Sequence, residues 1–226
     1  MEQDVYYKGY KIKIRESEIS DSPDEDGDED IFLVYDHRSF TIKRKGFEPK
    51  VLYEFLTTEE PELWEGHRYH EYWIFPVEAY IHSGVSLSLF TGTKQCRWDS
   101  SVSGYILVKK QLVEEYPNIN SEQDKKDQAV ELAEGLIKTW NQYLSGEVYG
   151  FIIEKPSTYY TITKEDLDKI LDGNNYVDID EFCNNSTEEV DWEEIDSCWG
   201  YYGDPEESGL LDEARTVIDD LTKNNG

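Results

Sequence analysis

The sequence predicts a single acidic α+β domain over residues 1–226, with a mixed or antiparallel sheet and two helices, at about 121–145 and 205–223, packed on it. Three observations predict this fold. A chain of 226 residues is long enough for one substantial core. Disordered chains are poor in aromatic residues, whereas 14% of these residues are aromatic. Apolar residues recur with a helical period in two segments and with a period of two in several others.

Strand patterns fill most of the first half of the chain. Residues 4–15 alternate tyrosine and isoleucine with lysine and are predicted to form one strand. Residues 16–30, ESEISDSPDEDGDED, are acidic and rich in turn formers, so we expect a solvated loop there. The other predicted strands of this half are 31–36, 40–44, 73–80, 85–90 and 105–109.

The long helix has a clear beginning, apolar face and end. Ser121 is suited to the N-cap, and Asp124 at the third helical position makes a shortened capping box. Ser145-Gly146 ends the pattern. The apolar face runs over more than four turns and consists of Ala129, Leu132, Ala133, Leu136, Ile137, Trp140, Tyr143 and Leu144.

A strand, an insertion and a second strand are predicted after this helix. The strands are 147–154 and 195–202, and we expect them to pair. Residues 156–190 between them have the character of an insertion. Inside it, Thr163 can cap a short helix over 164–171, which Asn174-Asn175 then breaks.

The C-terminal helix carries a second apolar face. Asp204 is its predicted N-cap, Pro205 its first residue and Glu207 its third. The apolar face consists of Leu210, Ala214, Val217, Ile218 and Leu221. Helices packed on one face of a sheet would bury both apolar faces.

The net charge is −28 and lies mostly in the second half. Residues 1–113 hold 21 acidic and 14 basic side chains, a net of −7, whereas residues 114–226 hold 29 and 8, a net of −21. Such a balance argues against direct binding to nucleic acid or to an anionic membrane, and favours basic partners or cations.

The cysteines and the N-terminus predict a cytoplasmic protein. Cys96, Cys183 and Cys198 are odd in number and widely spaced, which fits a reducing compartment better than a disulfide framework. The first residues have neither a basic nor an apolar region of a signal peptide. No run approaches the roughly 18 apolar residues of a membrane span.

Two acidic segments invite comparison with calcium-binding EF-hand loops. The acidic residues of the first segment are Asp24, Asp26, Asp28 and Asp30. An EF-hand loop needs glycine at position six and glutamate at position twelve. With Asp24 at position one, the glycine, Gly27, falls at position four and Tyr35 occupies position twelve, so the pattern fails. The second matches at positions three, five, seven, nine and twelve, which are Asp172, Asn174, Tyr176, Asp178 and Glu181. Position one is Ile170 and position six is Asn175, which compromises the first ligand and the turn. Solvated loops are favoured, and calcium binding is kept as an alternative.

Histidine and cysteine patterns give no convincing catalytic or zinc site. His67 and His70, flanked by Glu65 and Glu71, are too close for a helical zinc pair and are read as surface or interface histidines. Cys198, near Asp196, lacks a neighbouring histidine base and is read as a buried strand cysteine. No phosphate loop or nucleophile motif occurs. We therefore predict no catalytic residue, no cofactor and no metal, and a protein that is not an enzyme.

Three tryptophans precede a glycine, either directly or by several residues. They are Trp98 before Gly104-Tyr105, Trp140 before Gly146, and Trp199 within WGYYG. We favour core rings with glycines at turns. The alternative is an exposed aromatic hot spot for a protein partner.

The segments CRWDSSVSGYILV, NQYLSGEVYGFIIEK and DSCWGYYGD contain these clusters. They resemble the spaced blocks of an uncharacterised family of small acidic proteins from phages and mobile elements of Gram-positive bacteria. The blocks leave out the chain before Cys96 and residues 156–190. The resemblance implies a context, the bacterial host cytoplasm, rather than a chemistry.

Charge and resemblance together predict an inhibitor of a host nucleic-acid-binding defence protein, such as a restriction or CRISPR-type nuclease. It would act by acidic DNA mimicry, or by occlusion through another surface. A homodimer is compatible with the sequence. The alternatives are a metal- or calcium-binding protein or metal-dependent enzyme built on the acidic loops, a phage structural protein, and acidity that serves solubility alone. The predicted partner-binding residues are Glu114, Glu115, Glu131, Glu134, Glu188, Glu189, Asp191, Glu193, Glu194, Glu206, Glu207, Asp212, Asp219 and Asp220.

Overall fold

The computed structural model describes residues 2–18, 22–23, 29–38, 40–92, 100–117, 119–171 and 179–224. Internal contacts group the chain into two compact units. The terminal unit consists of residues 1–18 and 149–226, and the central unit of residues 19–148. The predicted α+β class is confirmed. The sequence predicts one domain over residues 1–226, and this stays a prediction.

The elements follow one another along the chain with these bounds. The strands are β1 (Gln3–Tyr7), β2 (Tyr10–Glu16), β3 (Ile31–His37), β4 (Phe40–Ile42), β5 (Tyr72–Ile81), β6 (Val85–Leu89), β7 (Ser100–Lys109), β8 (Val148–Thr161) and β9 (Thr187–Tyr202). The helices are α1 (Pro49–Thr57), α2 (Lys110–Glu114), α3 (Glu122–Ser145), α4 (Lys164–Ile170), α5 (Ile179–Asn185) and α6 (Leu210–Asn224). Two 3₁₀ turns, Pro61–Trp64 and Arg68–Glu71, precede β5.

The central unit is an antiparallel five-stranded sheet in the order β4-β3-β7-β5-β6, covered on both faces. Alternate residues of β3 point to opposite faces. Leu33 packs in one core cluster with α3, and Phe32 packs in another with α1. The sequence predicts helices on one face of the sheet only. The apolar pattern of α1, nine residues long, is too short to predict a helix on the other face.

Local signals set both ends of α3 as the sequence predicts. The Ser121 hydroxyl accepts a hydrogen bond from the Asp124 backbone at 3.1 Å, and the Asp124 carboxylate accepts one from the Ser121 backbone at 2.8 Å. Gly146 ends the helix with φ at +79°. The buried face includes Trp140, which is 2% exposed.

The terminal unit is a four-stranded sheet in the order β1-β2-β8-β9 with α6 packed against it. The prediction of one strand over 4–15 is wrong, because Lys8 and Gly9 both have positive φ and form a two-residue hairpin turn between β1 and β2. Gly150 lies against Trp199, and Thr161 bonds to Thr187, so β8 and β9 run antiparallel. The core consists of Ile12, Ile14, Tyr149, Phe151, Ile153, Leu210, Leu211, Ala214 and Ile218.

The C-terminal helix begins five residues later than predicted. The Asp204 carboxylate accepts from the Glu206 backbone, and its carbonyl accepts from Glu207 and Ser208, so Asp204 caps a separate turn. Gly209, with φ at +82°, then separates this turn from α6. Four residues of the predicted apolar face nevertheless pack in the core of this unit: Leu210, Ala214, Val217 and Ile218.

Strands β8 and β9 continue well into the segment predicted as an insertion. They form a ribbon of residues 155–161 and 187–194, whose side chains are exposed except for a half-buried Trp192. Thr163 caps α4 as predicted, accepting a hydrogen bond from the Asp166 backbone at 3.2 Å. Helix α5 was not predicted. The expected break at Asn174-Asn175 lies outside the described residues.

Candidate interaction surface on the edge strand

Strand β9 is the last strand of its sheet and carries an unusual density of acid. Six carboxylates fall within nine consecutive residues, and all six side chains are exposed. They are Glu188, Glu189, Asp191, Glu193, Glu194 and Asp196. Asp196 is not among the residues predicted for partner binding, although its place in this run is visible in the sequence.

The alternation of a strand distributes these charges over both faces. The Trp192 ring meets Tyr6 edge-to-face at 5.9 Å, and the Lys11 ammonium lies 4.3 Å from its centroid. Glu193 points the other way and pairs with Lys155 at 3.1 Å. Glu188 and Glu194 therefore share the face of Trp192, and Glu189 and Asp191 share that of Glu193.

Glu189 is the carboxylate that the ribbon itself orients. It accepts hydrogen bonds from the Tyr159 hydroxyl at 2.8 Å and from the Thr161 hydroxyl at 3.2 Å. The bond to Glu189 raises the pKa of Tyr159, because it favours the protonated phenol. Among residues with described positions, Glu193 is the member of the six that forms an ion pair.

A buried ion pair lies beneath the base of this ribbon. Glu154 of β8 is 8% exposed and contacts the ammonium groups of Lys11 at 2.7 Å and Lys13 at 2.8 Å. Burial by itself raises the pKa of Glu154, but the two lysines outweigh it and hold the pKa below its ordinary value. Because Lys11 also touches the ring of Trp192, this cluster ties β9 to the rest of the sheet.

The aromatic clusters divide between core and surface. Trp140 is buried as predicted, whereas Trp199 is 45% exposed and corrects the expectation of a core ring. Its ring lies on Gly150, where a methyl group would overlap it. Gly104 is likewise inside β7 rather than at a turn, and the ring of Tyr35 covers it. Trp98 lies outside the described residues.

The predicted partner-binding residues are divided between the two units. Four belong to the central unit, at the end of α2 and along α3: Glu114, Glu115, Glu131 and Glu134. Glu114 is paired there with Lys125 at 2.9 Å. The other ten belong to the terminal unit, five on β9 and five between residues 206 and 220: Glu206, Glu207, Asp212, Asp219 and Asp220.

Three of these last five are engaged in ion pairs on the surface of α6. Asp212 contacts Arg215 at 3.4 Å and Asp220 contacts Lys223 at 3.0 Å, each one helical turn away. Asp219 reaches Lys8 in the β1–β2 turn at 2.8 Å, and this hydrogen bond lowers the pKa of the Asp219 carboxyl. Asp219 thus connects α6 to the hairpin of β1 and β2.

The histidines have structural roles in the central unit. The His67 ring accepts a hydrogen bond from the Tyr69 backbone at 3.4 Å, and His70 Nε2 lies 3.0 Å from the Trp64 carbonyl oxygen. Over the residues that the structure describes, no group of three or more His, Cys, Asp or Glu side chains is arranged to hold a metal ion. Residues 24–28 and 172–178, which carry most of the calcium-loop positions, lie outside that part.

Cys198 is half-buried against the core of the terminal unit. Burial raises the pKa of the nearby Tyr201 phenol, and contacts with Cys198 and Glu213 raise it further. All four histidines belong to the central unit, so neither unit by itself pairs a described cysteine with a histidine.

Neither a protein-family model, nor a curated protein, nor a solved structure matches this chain. The family resemblance suggested by the three sequence blocks therefore stays a prediction. No helix in the described part of the chain is long and apolar enough to cross a membrane.

Proposed function

We propose that this protein inhibits a host nucleic-acid-binding defence protein by presenting the carboxylates of β9 to its basic surface. The observation that supports the proposal is the run of six exposed carboxylates over residues 188–196 of an edge strand. Proteins that bind nucleic acid neutralise its phosphates with lysine and arginine, and the same side chains would meet these carboxylates.

The linear charge density of β9 is close to that of a nucleic-acid strand. A strand advances about 3.3 Å per residue, so nine residues extend over about 30 Å, or about 5 Å per charge. One strand of duplex DNA carries a charge per roughly 3.4 Å of axis. Counted over both of its faces, the edge strand thus reaches about two thirds of that density on a backbone that a sheet holds in place.

Exposed apolar side chains beside the acids support a protein as the partner. Val190 is 54% exposed and Tyr160 is 46% exposed, and both lie on the ribbon. Charge complementarity mainly speeds association and selects the partner, whereas a few anchors, often aromatic, supply most of the binding energy of protein interfaces. The ribbon offers both.

An affinity pull-down from host lysate, with the full chain as bait, tests the proposal. We expect a captured nucleic-acid-binding protein that elutes as salt is raised and is displaced by DNA. In one variant the six carboxylates of residues 188–196 become glutamine or asparagine. A matched control neutralises six exposed carboxylates of the central unit, Glu54, Glu59, Glu60, Glu62, Glu65 and Glu147, and has the same net charge.

Mimicry requires that the β9 variant loses at least about tenfold in affinity while the control keeps it. Equal losses would mean that overall charge matters and not this strand. A partner whose binding ignores salt and DNA would reject mimicry.

Calorimetric titration with Ca²⁺, Mg²⁺ and Zn²⁺ separates this proposal from the metal-dependent alternatives. Submillimolar, stoichiometric binding that is lost on Asp178→Ala or Glu181→Ala would favour a metal-binding protein instead. Copurification with phage particles would favour a structural protein.

A further inference from the structure

Basic side chains converge on one cavity of the central unit, in spite of the net charge of −28. Among the residues that the structure describes, a cavity of about 420 Å³ is lined by four cationic side chains and two carboxylates, Glu29 and Glu71, and one of the cations, Lys109, pairs with Asp30 at 2.9 Å. The cationic side chains are Arg44, Lys45, Arg68 and Lys109. Arg44 and Lys45 are adjacent in the sequence, whereas Arg68 and Lys109 are far from them and from each other, so the fold brings three separate segments together.

A tight turn holds two of these residues in place. The Phe47 backbone donates to the Arg44 carbonyl at 3.0 Å, and Gly46 has φ at +79°, as the third residue of a type II turn requires. Arg68 Nη2 donates to the Lys45 carbonyl at 3.1 Å. A side chain at Gly46 would overlap the Arg68 guanidinium, so the glycine leaves room for it.

Aromatic rings orient the two guanidinium groups. Arg44 lies 4.2 Å from the ring centroid of Phe32, and Arg68 lies 3.8 Å from that of Phe47. These two rings are themselves 4.8 Å apart. Planar guanidinium groups match the paired oxygens of phosphate.

A second cavity of about 400 Å³ adjoins the first and shares Arg44, Lys45 and Phe47 with it. Its remaining lining mixes apolar and charged side chains: Tyr35, Asp36, Ile42, Lys43, Glu48, Pro49 and Lys50. The pair of cavities therefore suits a ligand with an anionic head and a partly apolar body. Ligand sites combine an apolar wall with a few convergent polar groups in this way.

We propose that these cavities bind a nucleoside phosphate. Its phosphate contacts Arg44, Lys45 and Arg68, and its base lies along Ile42 and Phe47. The site belongs to the central unit and does not depend on inhibition by β9.

Calorimetric titration of the full chain with adenosine monophosphate, inorganic phosphate and adenosine tests the proposal. We expect saturable one-to-one binding of the nucleotide, weaker competing binding of phosphate, and no binding of adenosine. Lys45→Gln, at an exposed side chain, lowers nucleotide affinity about tenfold. Lys126→Gln, at another exposed lysine, in α3 and outside the cavity, leaves it unchanged.

Three results would overturn the proposal: no saturation by the nucleotide up to about 10 mM, equal binding of adenosine, or equal weakening by the two lysine variants. Arg68→Lys adds a further check because it keeps the charge and removes the guanidinium fork. We expect it to weaken nucleotide binding, and circular dichroism verifies that each variant stays folded. Unchanged binding in a folded Arg68→Lys variant would also reject the assigned geometry.

Discussion

Among substitutions of charged residues, we expect Glu154→Gln to lower the free energy of unfolding the most. It removes the negative charge from a carboxylate that is 8% exposed and leaves the ammonium groups of Lys11 and Lys13 facing each other. Removing one partner of a buried pair costs about 3–5 kcal/mol. Lys13 keeps 29% of its side-chain exposure, so water screens part of the effect, and we expect a loss of about 2–3 kcal/mol.

Glu193→Gln is the matched control on the same pair of strands. Glu193 and Lys155 form an ion pair with side chains 60% and 47% exposed. Exposed pairs contribute about 0–1 kcal/mol, so this variant should unfold almost as the unmodified protein does. Urea denaturation followed by tryptophan fluorescence gives both free energies of unfolding at pH 7.

The difference between wild type and Glu154→Gln should also depend on pH. Contacts with the two lysines lower the folded-state pKa of Glu154, in spite of the opposing effect of burial. The stability it adds is therefore complete above the unfolded pKa of about 4.3 and is lost as the pH falls through the lower folded value. Measurements at pH 7 and pH 3 avoid poor solubility near the isoelectric point of about 4.3.

The reasoning would be refuted if Glu154→Gln and Glu193→Gln agreed within about 0.5 kcal/mol at pH 7. It would also be refuted if the gap between wild type and Glu154→Gln were as wide at pH 3 as at pH 7.

Two further predictions concern packing. Gly150→Ala places a methyl group into the Trp199 ring and 2.7 Å from the Cys198 carbonyl oxygen, so urea denaturation should show a loss of about 2–3 kcal/mol; an unchanged midpoint would contradict the β8–β9 contact. Asn141→Ala removes a side chain that accepts from the Leu87 backbone at 2.7 Å and donates to its carbonyl at 2.9 Å. It should lower stability by about 2 kcal/mol and speed hydrogen exchange at the Leu87 amide, and unaltered exchange would show that this contact does not protect β6.

The elements predicted correctly are those whose signals are local. The cap at Ser121 and Asp124 and the stop at Gly146 lie within a few residues of the ends that they define. The turn at Lys8-Gly9 was missed because the alternation of tyrosine and lysine continues on both sides of it. Helix α1 was missed because nine residues give too few turns for a clear period.

The sequence by itself determines the charge of −28, the run of acids at 188–196 and the apolar faces of the two helices, because each is a property of neighbouring residues. The pairing of β8 with β9 was also predicted, but the tertiary structure alone decides that β9 is the edge strand of its sheet, so that this run lies at the edge. It also decides that Arg44 and Arg68 come to neighbouring rings beside Lys109. Sheet order and ring packing arise from contacts between residues far apart in the chain, which periodicity and spacing do not encode.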